Sequence, residues 1–147
     1  MFTGEYRVHL DDCRLIIPSR LRDQMVGVWP LDIAILPWME CVLMVAGTPD
    51  PLSAALAVIA PDPPTTSWTQ HQRQLVRVVA SKLIVDVMDK RGRIRLPQDA
   101  LTAASIDREG ILVGAVNHLE LWSPERWTES QGELGAGGLN DLRTELE

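Results

Sequence analysis

The chain is poor in the residues that would announce a special architecture or chemistry. Of its 147 residues two are cysteine, one is tyrosine and one is phenylalanine. Two thiols, Cys13 and Cys41, are too few for a disulfide scaffold and fit a reducing, cytosolic setting. No apolar run approaches the ~20 residues that cross a bilayer. The opening Met1-Phe2-Thr3-Gly4-Glu5-Tyr6 has neither a basic nor an apolar segment, so no secretory signal and no membrane partner are expected. His9, His71 and His118 share no ligand spacing with one another or with the cysteines, so neither a metal nor another cofactor is expected. A Gly-x-Ser-x-Gly elbow is missing. The glycines at 135–138 lack the Lys-Ser or Lys-Thr of a phosphate loop. Catalytic residues are therefore not expected, the chain does not read as an enzyme, and no small-molecule substrate is implied. Excess positive charge is missing too. The net charge is −6, which speaks against indiscriminate binding to nucleic acid.

What the chain does have is one statement made twice. Leu10-Asp11-Asp12-Cys13-Arg14-Leu15-Ile16-Ile17-Pro18 and Met88-Asp89-Lys90-Arg91-Gly92-Arg93-Ile94-Arg95-Leu96-Pro97 both give an apolar residue, an acid, a tight turn, an arginine, alternating apolar positions and a proline. An apolar run follows each, at 33–36 and 111–114. A second follows at 41–45 and 119–122. Each copy ends on a helix-start signal, Thr48-Pro49-Asp50 or Ser123-Pro124-Glu125. Self-similarity of this kind means two copies of one unit. Neither copy is large enough to bury a core alone, so each needs its twin. The first copy is one residue shorter in the turn, with Asp12-Cys13 where the second has Lys90-Arg91-Gly92. Without a glycine it must turn by another route.

Charge is uneven along the chain. Residues 1–50 carry −3, residues 51–80 carry +1, residues 81–127 are neutral and residues 128–147 carry −4. The four blocks read as a first repeat, a Pro-rich linker with a helix, a second repeat and an acidic mobile tail. Within each repeat the arginine opens a strand. Alternation puts Leu15 and Ile17, and Ile94 and Leu96, on the buried face. Arg14 and Ile16, and Arg93 and Arg95, fall on the outer face. Each proline can sit in the first turn of a short helix, over 19–25 and 98–104. The spacing also predicts helices over 51–60 and 67–82. Ser123 is a natural N-cap, with Glu125 favouring the dipole. The five tryptophans, Trp29, Trp38, Trp68, Trp122 and Trp127, read as packing residues rather than stacking platforms.

The acid-turn-arginine unit admits two readings. In one, Asp89 accepts hydrogen bonds from turn amides, Arg93 pairs with an acid, and the hairpin is simply held. In the other, Lys90, Arg91, Arg93 and Arg95 project from a rigid edge toward phosphates and base edges.

The opening residues 1–6, with Leu10, Asp11, Arg14, Ile17 and Pro18, resemble the start of MraZ proteins. Asp89–Pro97, with 111–114, 119–122, Arg126 and Trp127, is similar to the family's second half. The resemblance covers roughly residues 1–45 and 67–127. It implies a mainly β fold with short α-helices, built from two AbrB/SpoVT-like swapped-hairpin repeats that form a pseudo-dimer within one chain. It further implies a ring-like homo-oligomer that binds double-stranded DNA at repeated operator boxes, cytoplasmic and nucleoid-associated, regulating the promoter of a cell-division and cell-wall gene cluster. Carried over, Arg93, Lys90, Arg91 and Arg95 are the expected DNA contacts of the second copy, with Arg14 and Arg20 in the first. Asp89, Gly92 and Asp11 are the expected turn stabilisers. The family usually has a basic residue where Thr3 stands and Lys-Gly where Cys13 stands. The first copy thus departs from the pattern. The alternative it leaves open is a structural or protein-interaction ring with weakened or lost DNA binding. A small-molecule sensor is a third reading, for which the sequence shows no pocket signature.

Overall fold

The computed structural model describes residues 1–25, 27, 29–38, 40–46, 51–59 and 69–134. The first repeat forms β1 (Glu5–Asp11), β2 (Arg14–Ile16), α1 (Ser19–Arg22), β3 (Leu31–Trp38) and β4 (Cys41–Ala46). Helices α2 (Pro51–Ile59) and α3 (Gln70–Lys82) follow. The second repeat forms β5 (Ile84–Met88), β6 (Arg93–Arg95), α4 (Gln98–Ala103), β7 (Glu109–Gly114) and β8 (Leu119–Trp122), and ends in α5 (Pro124–Leu134).

The strands make one antiparallel sheet in the order β5-β3-β4-β8-β7-β1-β2-β6. The first strand of each repeat pairs with the third strand of the other: β1 lies on β7 and β5 lies on β3. The short arginine strands pair with each other, β2 on β6, and β4 pairs with β8. Exchanging β1–β4 for β5–β8 reproduces every pairing except β1 on β2, so the body has an internal pseudo-twofold. The ends of the sheet, β5 and β6, meet at their connecting turn, where the Asp89 amide donates to the Arg93 carbonyl at 3.2 Å. The fold is mainly β, nearly closed into a barrel, with the swapped-hairpin interlock expected of the two repeats.

Burial explains the sequence pattern. Leu15, Ile17, Ile94 and Leu96 are 0%, 1%, 3% and 2% exposed, and they join Leu112, Leu121, Ile35 and Met44 in one core shared by both repeats. Strands β3 and β4 do not alternate because they are covered on both faces. Ile33, Ile35, Val42 and Met44 face the shared core, while Ala34, Leu36, Leu43 and Val45 face a second cluster with Ala55 of α2 and Leu83 after α3. The stretch between the repeats therefore contributes to the core. Trp38 and Trp122 pack against the second cluster and Trp29 against the first. The Trp122 and Trp127 rings meet at 5.5 Å, tilted by 56°. Trp68 and Thr48-Pro49-Asp50 lie outside the described residues.

Several helix bounds differ from expectation. Helices α1 and α4 begin at Ser19 and Gln98, as the spacing predicts, with Pro18 and Pro97 as extended N-cap residues, φ −54° and −63°. A proline at N-cap still fixes the chain's entry, but its side chain offers no acceptor. Helix α1 stops at Arg22 rather than 25, and α4 at Ala103. Helix α3 starts at Gln70, because Thr69 and Gln72 form a reciprocal capping box. Ser123 caps α5 through the Arg126 amide at 3.1 Å, and that helix runs to Leu134, into the stretch expected to be tail.

Candidate nucleic-acid interface

Strands β2 and β6 form a two-stranded ribbon with the register Arg14↔Arg95, Leu15↔Ile94 and Ile16↔Arg93. Leu15 and Ile94 point into the core, so Arg14, Ile16, Arg93 and Arg95 share the outer face, and all four are exposed. The ribbon ends at the two turns, which carry Asp12-Cys13 on one side and Lys90-Arg91-Gly92 on the other.

The second turn is held by its acid. Asp89 Oδ1 accepts from the backbone amides of Arg91 at 3.0 Å and Arg93 at 2.9 Å, and Oδ2 accepts from Arg93 Nε at 2.6 Å. The Arg93 amide first, and then its guanidinium, hold the Asp89 carboxyl below the usual carboxylate range. The structural reading of this unit is thus realised in full. It does not consume the arginine. Nε is occupied, the two terminal nitrogens of Arg93 make no hydrogen bond among the described residues, and the side chain is 60% exposed. Gly92 has φ +82°, and a Cβ there would lie 2.7 Å from the Ile17 carbonyl oxygen and 2.6 Å from Arg22 Cδ.

The first turn does without this device. Asp12 and Cys13 both take left-handed conformations, φ +50° and +63°. Two such central residues make the tight two-residue hairpin that normally selects Asn-Gly. This is the other route, and it lets β1 pair directly with β2 at Leu10↔Leu15 and Asp11↔Arg14. Cys13 is the twin of Gly92: the Leu96 amide donates to the Cys13 carbonyl and the Ile17 amide to the Gly92 carbonyl, both at 2.8 Å. The Cys13 thiol donates to Gln98 Oε1 at 2.9 Å. Asp11 is exposed at the end of β1. Among the described residues its carboxylate accepts no hydrogen bond, unlike Asp89.

Arg22, which local sequence gives no reason to single out, ties the halves together. From α1 it donates through Nε to the Ile17 carbonyl at 3.0 Å and through Nη1 to the Lys90 carbonyl at 2.8 Å. Beside the first turn, the counterpart position is Leu101 of α4. There a polar cleft of about 570 Å³ opens, lined by His9, Asp11, Asp12, Cys13, Gln98 and Arg108 among others.

Among the described residues the side chains of Lys90, Arg91, Arg14 and Arg20 make no hydrogen bond or ion pair. All four are exposed. Arg95 lies 3.9 Å from Asp12 across the ribbon, longer than a hydrogen bond. Arg20 sits on α1, outside the ribbon. Of the expected contact residues, Arg14, Arg93 and Arg95 thus share the ribbon's outer face, and Lys90 and Arg91 lie in the turn that leads into β6. Among the described residues no group of three or more His, Cys, Asp or Glu is placed to hold a metal ion. No helix among the described residues is long and apolar enough to cross a membrane.

Comparison with known proteins gives this arrangement a family. A family model described as "MraZ protein, putative antitoxin-like" matches residues 87–141, the half that keeps the glycine turn. A protein of Roseiflexus sp. named "Transcriptional regulator MraZ" is 34% identical over 150 residues, covering 97% of this chain and 99% of its own. One of the same name from Limosilactobacillus fermentum is 33% identical over 132 residues, 89% of this chain and 87% of its own. Another from Finegoldia magna is 30% identical over 149 residues, 97% and 99%. The chain belongs to the MraZ family. The relatives carry the name of a regulator and not of an enzyme, in keeping with the missing catalytic motifs.

Proposed function

We propose that this chain regulates transcription by binding double-stranded DNA sequence-specifically through the β2–β6 ribbon and its two turns. The observation that carries this is the ribbon's outer face, where Arg14, Arg93 and Arg95 meet across two strands in a chain of net charge −6. A two-stranded ribbon has the width of the major groove, and arginine is the usual partner of guanine there. Arg93 is the principal contact, because Asp89 engages its Nε and leaves the two terminal nitrogens for DNA. Lys90 and Arg91 at the turn tip, with Arg20 on α1, suit phosphate contacts, which position the protein without reading sequence. The chain acts as a ring-like homo-oligomer. A ring repeats the patch, so weak single contacts add to useful avidity on repeated operator boxes. The target is the promoter of a cell-division and cell-wall gene cluster, and the protein works in the cytoplasm at the nucleoid.

The test is a titration of duplex DNA from upstream of the chain's own gene at several salt concentrations. Arg93→Ala should cost more affinity than Arg14→Ala, by at least ~1 kcal/mol if Arg93 makes a bidentate base contact. Lys90→Ala should lower affinity evenly across sequences and flatten the salt dependence. Binding that is absent at low salt, with an intact ring, would favour the protein-interaction reading, which the acidic balance and the approach of Asp12 to Arg95 support.

A further inference from the structure

The outer face of the ribbon is a square of four side chains, Arg14 and Ile16 on β2 facing Arg95 and Arg93 on β6. The pseudo-twofold relates Arg14 to Arg93 and Ile16 to Arg95, so a symmetric ribbon would carry four arginines. Ile16 breaks the square. It is 61% exposed, while its strand neighbours Leu15 and Ile17 are 0% and 1% exposed. Its outward position is therefore the regular alternation of the strand and not a slip of register. The core gains little from it.

The surroundings decide what would cover Ile16. A protein surface seated here would have to desolvate three guanidinium groups, at a cost that only well-placed acids could offset. DNA in the groove meets the same guanidiniums with guanine edges and phosphates. The matching apolar feature of the major groove is the 5-methyl group of thymine. A β-branched side chain is stiff about χ1, so its methyls hold a fixed position. Ile16 and Arg14 lie two residues apart on one strand, about 6.6 Å, and Ile16 and Arg93 stand directly opposite at about 5 Å. Those spacings let both neighbours of Ile16 touch adjacent base pairs while it touches a methyl.

We propose that Ile16 reads a thymine methyl, so that one chain recognises an asymmetric DNA element. Thymine lies under the Ile16 corner, and the twofold-related corner, under Arg95, takes guanine. This rests on the reading of the ribbon as the DNA-facing surface.

The experiment uses the full-length protein to select duplexes from a random pool. The enriched duplex is then resynthesised with each thymine replaced in turn by uracil, which removes only the methyl. The unmodified protein should lose roughly fourfold in affinity at one thymine per bound element, the value of one buried methyl. Ile16→Ala should bind the thymine and uracil duplexes alike, and Ile16→Arg should enrich guanine at that position. If a duplex is enriched but every uracil replacement is neutral, or if Ile16→Ala keeps the discrimination, the inference fails while DNA binding stands. If no duplex is enriched, the DNA reading fails and this one with it. A smaller assembly mass for Ile16→Ala would then assign the side chain to a contact between copies.

Discussion

Gly92→Ala is the substitution whose cost can be worked most directly from the geometry. A Cβ at φ +82° enters the left-handed region, which costs about 1.5 kcal/mol. It would also lie 2.7 Å from the Ile17 carbonyl oxygen, far inside the ~3.5 Å of ordinary contact. That oxygen cannot simply retreat. It accepts from Arg22 Nε, and the Ile17 amide is bonded to Gly92 itself. Moving apart therefore strains or breaks two hydrogen bonds, each about 1 kcal/mol net. Lower entropy of the unfolded chain offsets about 0.7 kcal/mol. The expected loss is about 3 kcal/mol, roughly 10 °C in Tm for a chain of this size. The twin substitution, Cys13→Gly, should be close to neutral. It removes left-handed strain of the same size and loses a thiol hydrogen bond, a half-buried side chain and about 0.7 kcal/mol to the freer unfolded chain. Urea unfolding and calorimetry on both variants supply the check. A loss below about 1 kcal/mol for Gly92→Ala, or a larger loss for Cys13→Gly than for Gly92→Ala, would refute the argument that the second turn is locked and the first strained.

Other expectations follow from the same geometry. Asp89 is held below the ordinary carboxylate value, so it contributes stability that is present above about pH 4 and lost as pH falls through its lowered folded value. Asp89→Asn should flatten that acid limb in a Tm-against-pH series, and an unchanged limb would show that the contact adds nothing. Burial first, and then the charges of Glu120 and Glu40, push the Cys41 thiol up to about 12. A thiol reagent at pH 8 should therefore label Cys13 in the native protein and Cys41 only after unfolding, with mass spectrometry reading the order. Leu15→Ala removes a side chain that is 0% exposed under the ribbon, and should cost about 3 kcal/mol by chemical denaturation. Residues 1–50 or 80–127 expressed alone should show no cooperative monomeric melt, because β1 and β5 have their ladder partners in the other half.

The elements legible in the sequence were those fixed by local chemistry. Alternation about Arg14 and Arg93 gave both arginine strands and the sides they bury. The Ser123 cap and the acid of the second turn were legible for the same reason: their hydrogen bonds reach only two to four residues along the chain. The repeat itself pointed to a shared core. Pairings between distant segments had no local signature. Nothing near Arg22 indicates that it would bond to the Lys90 carbonyl, 68 residues away. The first turn was hidden for another reason. Asp-Cys is not a pair that advertises positive φ, so only the missing residue showed that the turn had changed. The cap of α3 is legible at Thr69 from its threonine-to-glutamine spacing, a weaker signal than the apolar period, which extends the expected helix back to residue 67.

The distribution of differences between the repeats follows from their being joined. In a dimer of two identical chains, every substitution in the ribbon appears twice, and a change that suits one half of a DNA site is imposed on the other. Fusion removes that constraint for exposed residues and keeps it for the core. Leu15 pairs with Ile94, and both ends of that pair remain apolar and at most 3% exposed, because either one alone would open a cavity shared by both halves. Outward positions bear no such coupling. Ile16, 61% exposed, differs from Arg95, which is exposed as well. The two halves thus keep a matched apolar pair under the ribbon and an asymmetric outer face above it. If that face reads DNA, the consequence is a preferred orientation on the duplex. An inverted operator element placed beside an unchanged one should bind the protein differently from a direct repeat at the same spacing, whereas a symmetric ribbon would not distinguish them.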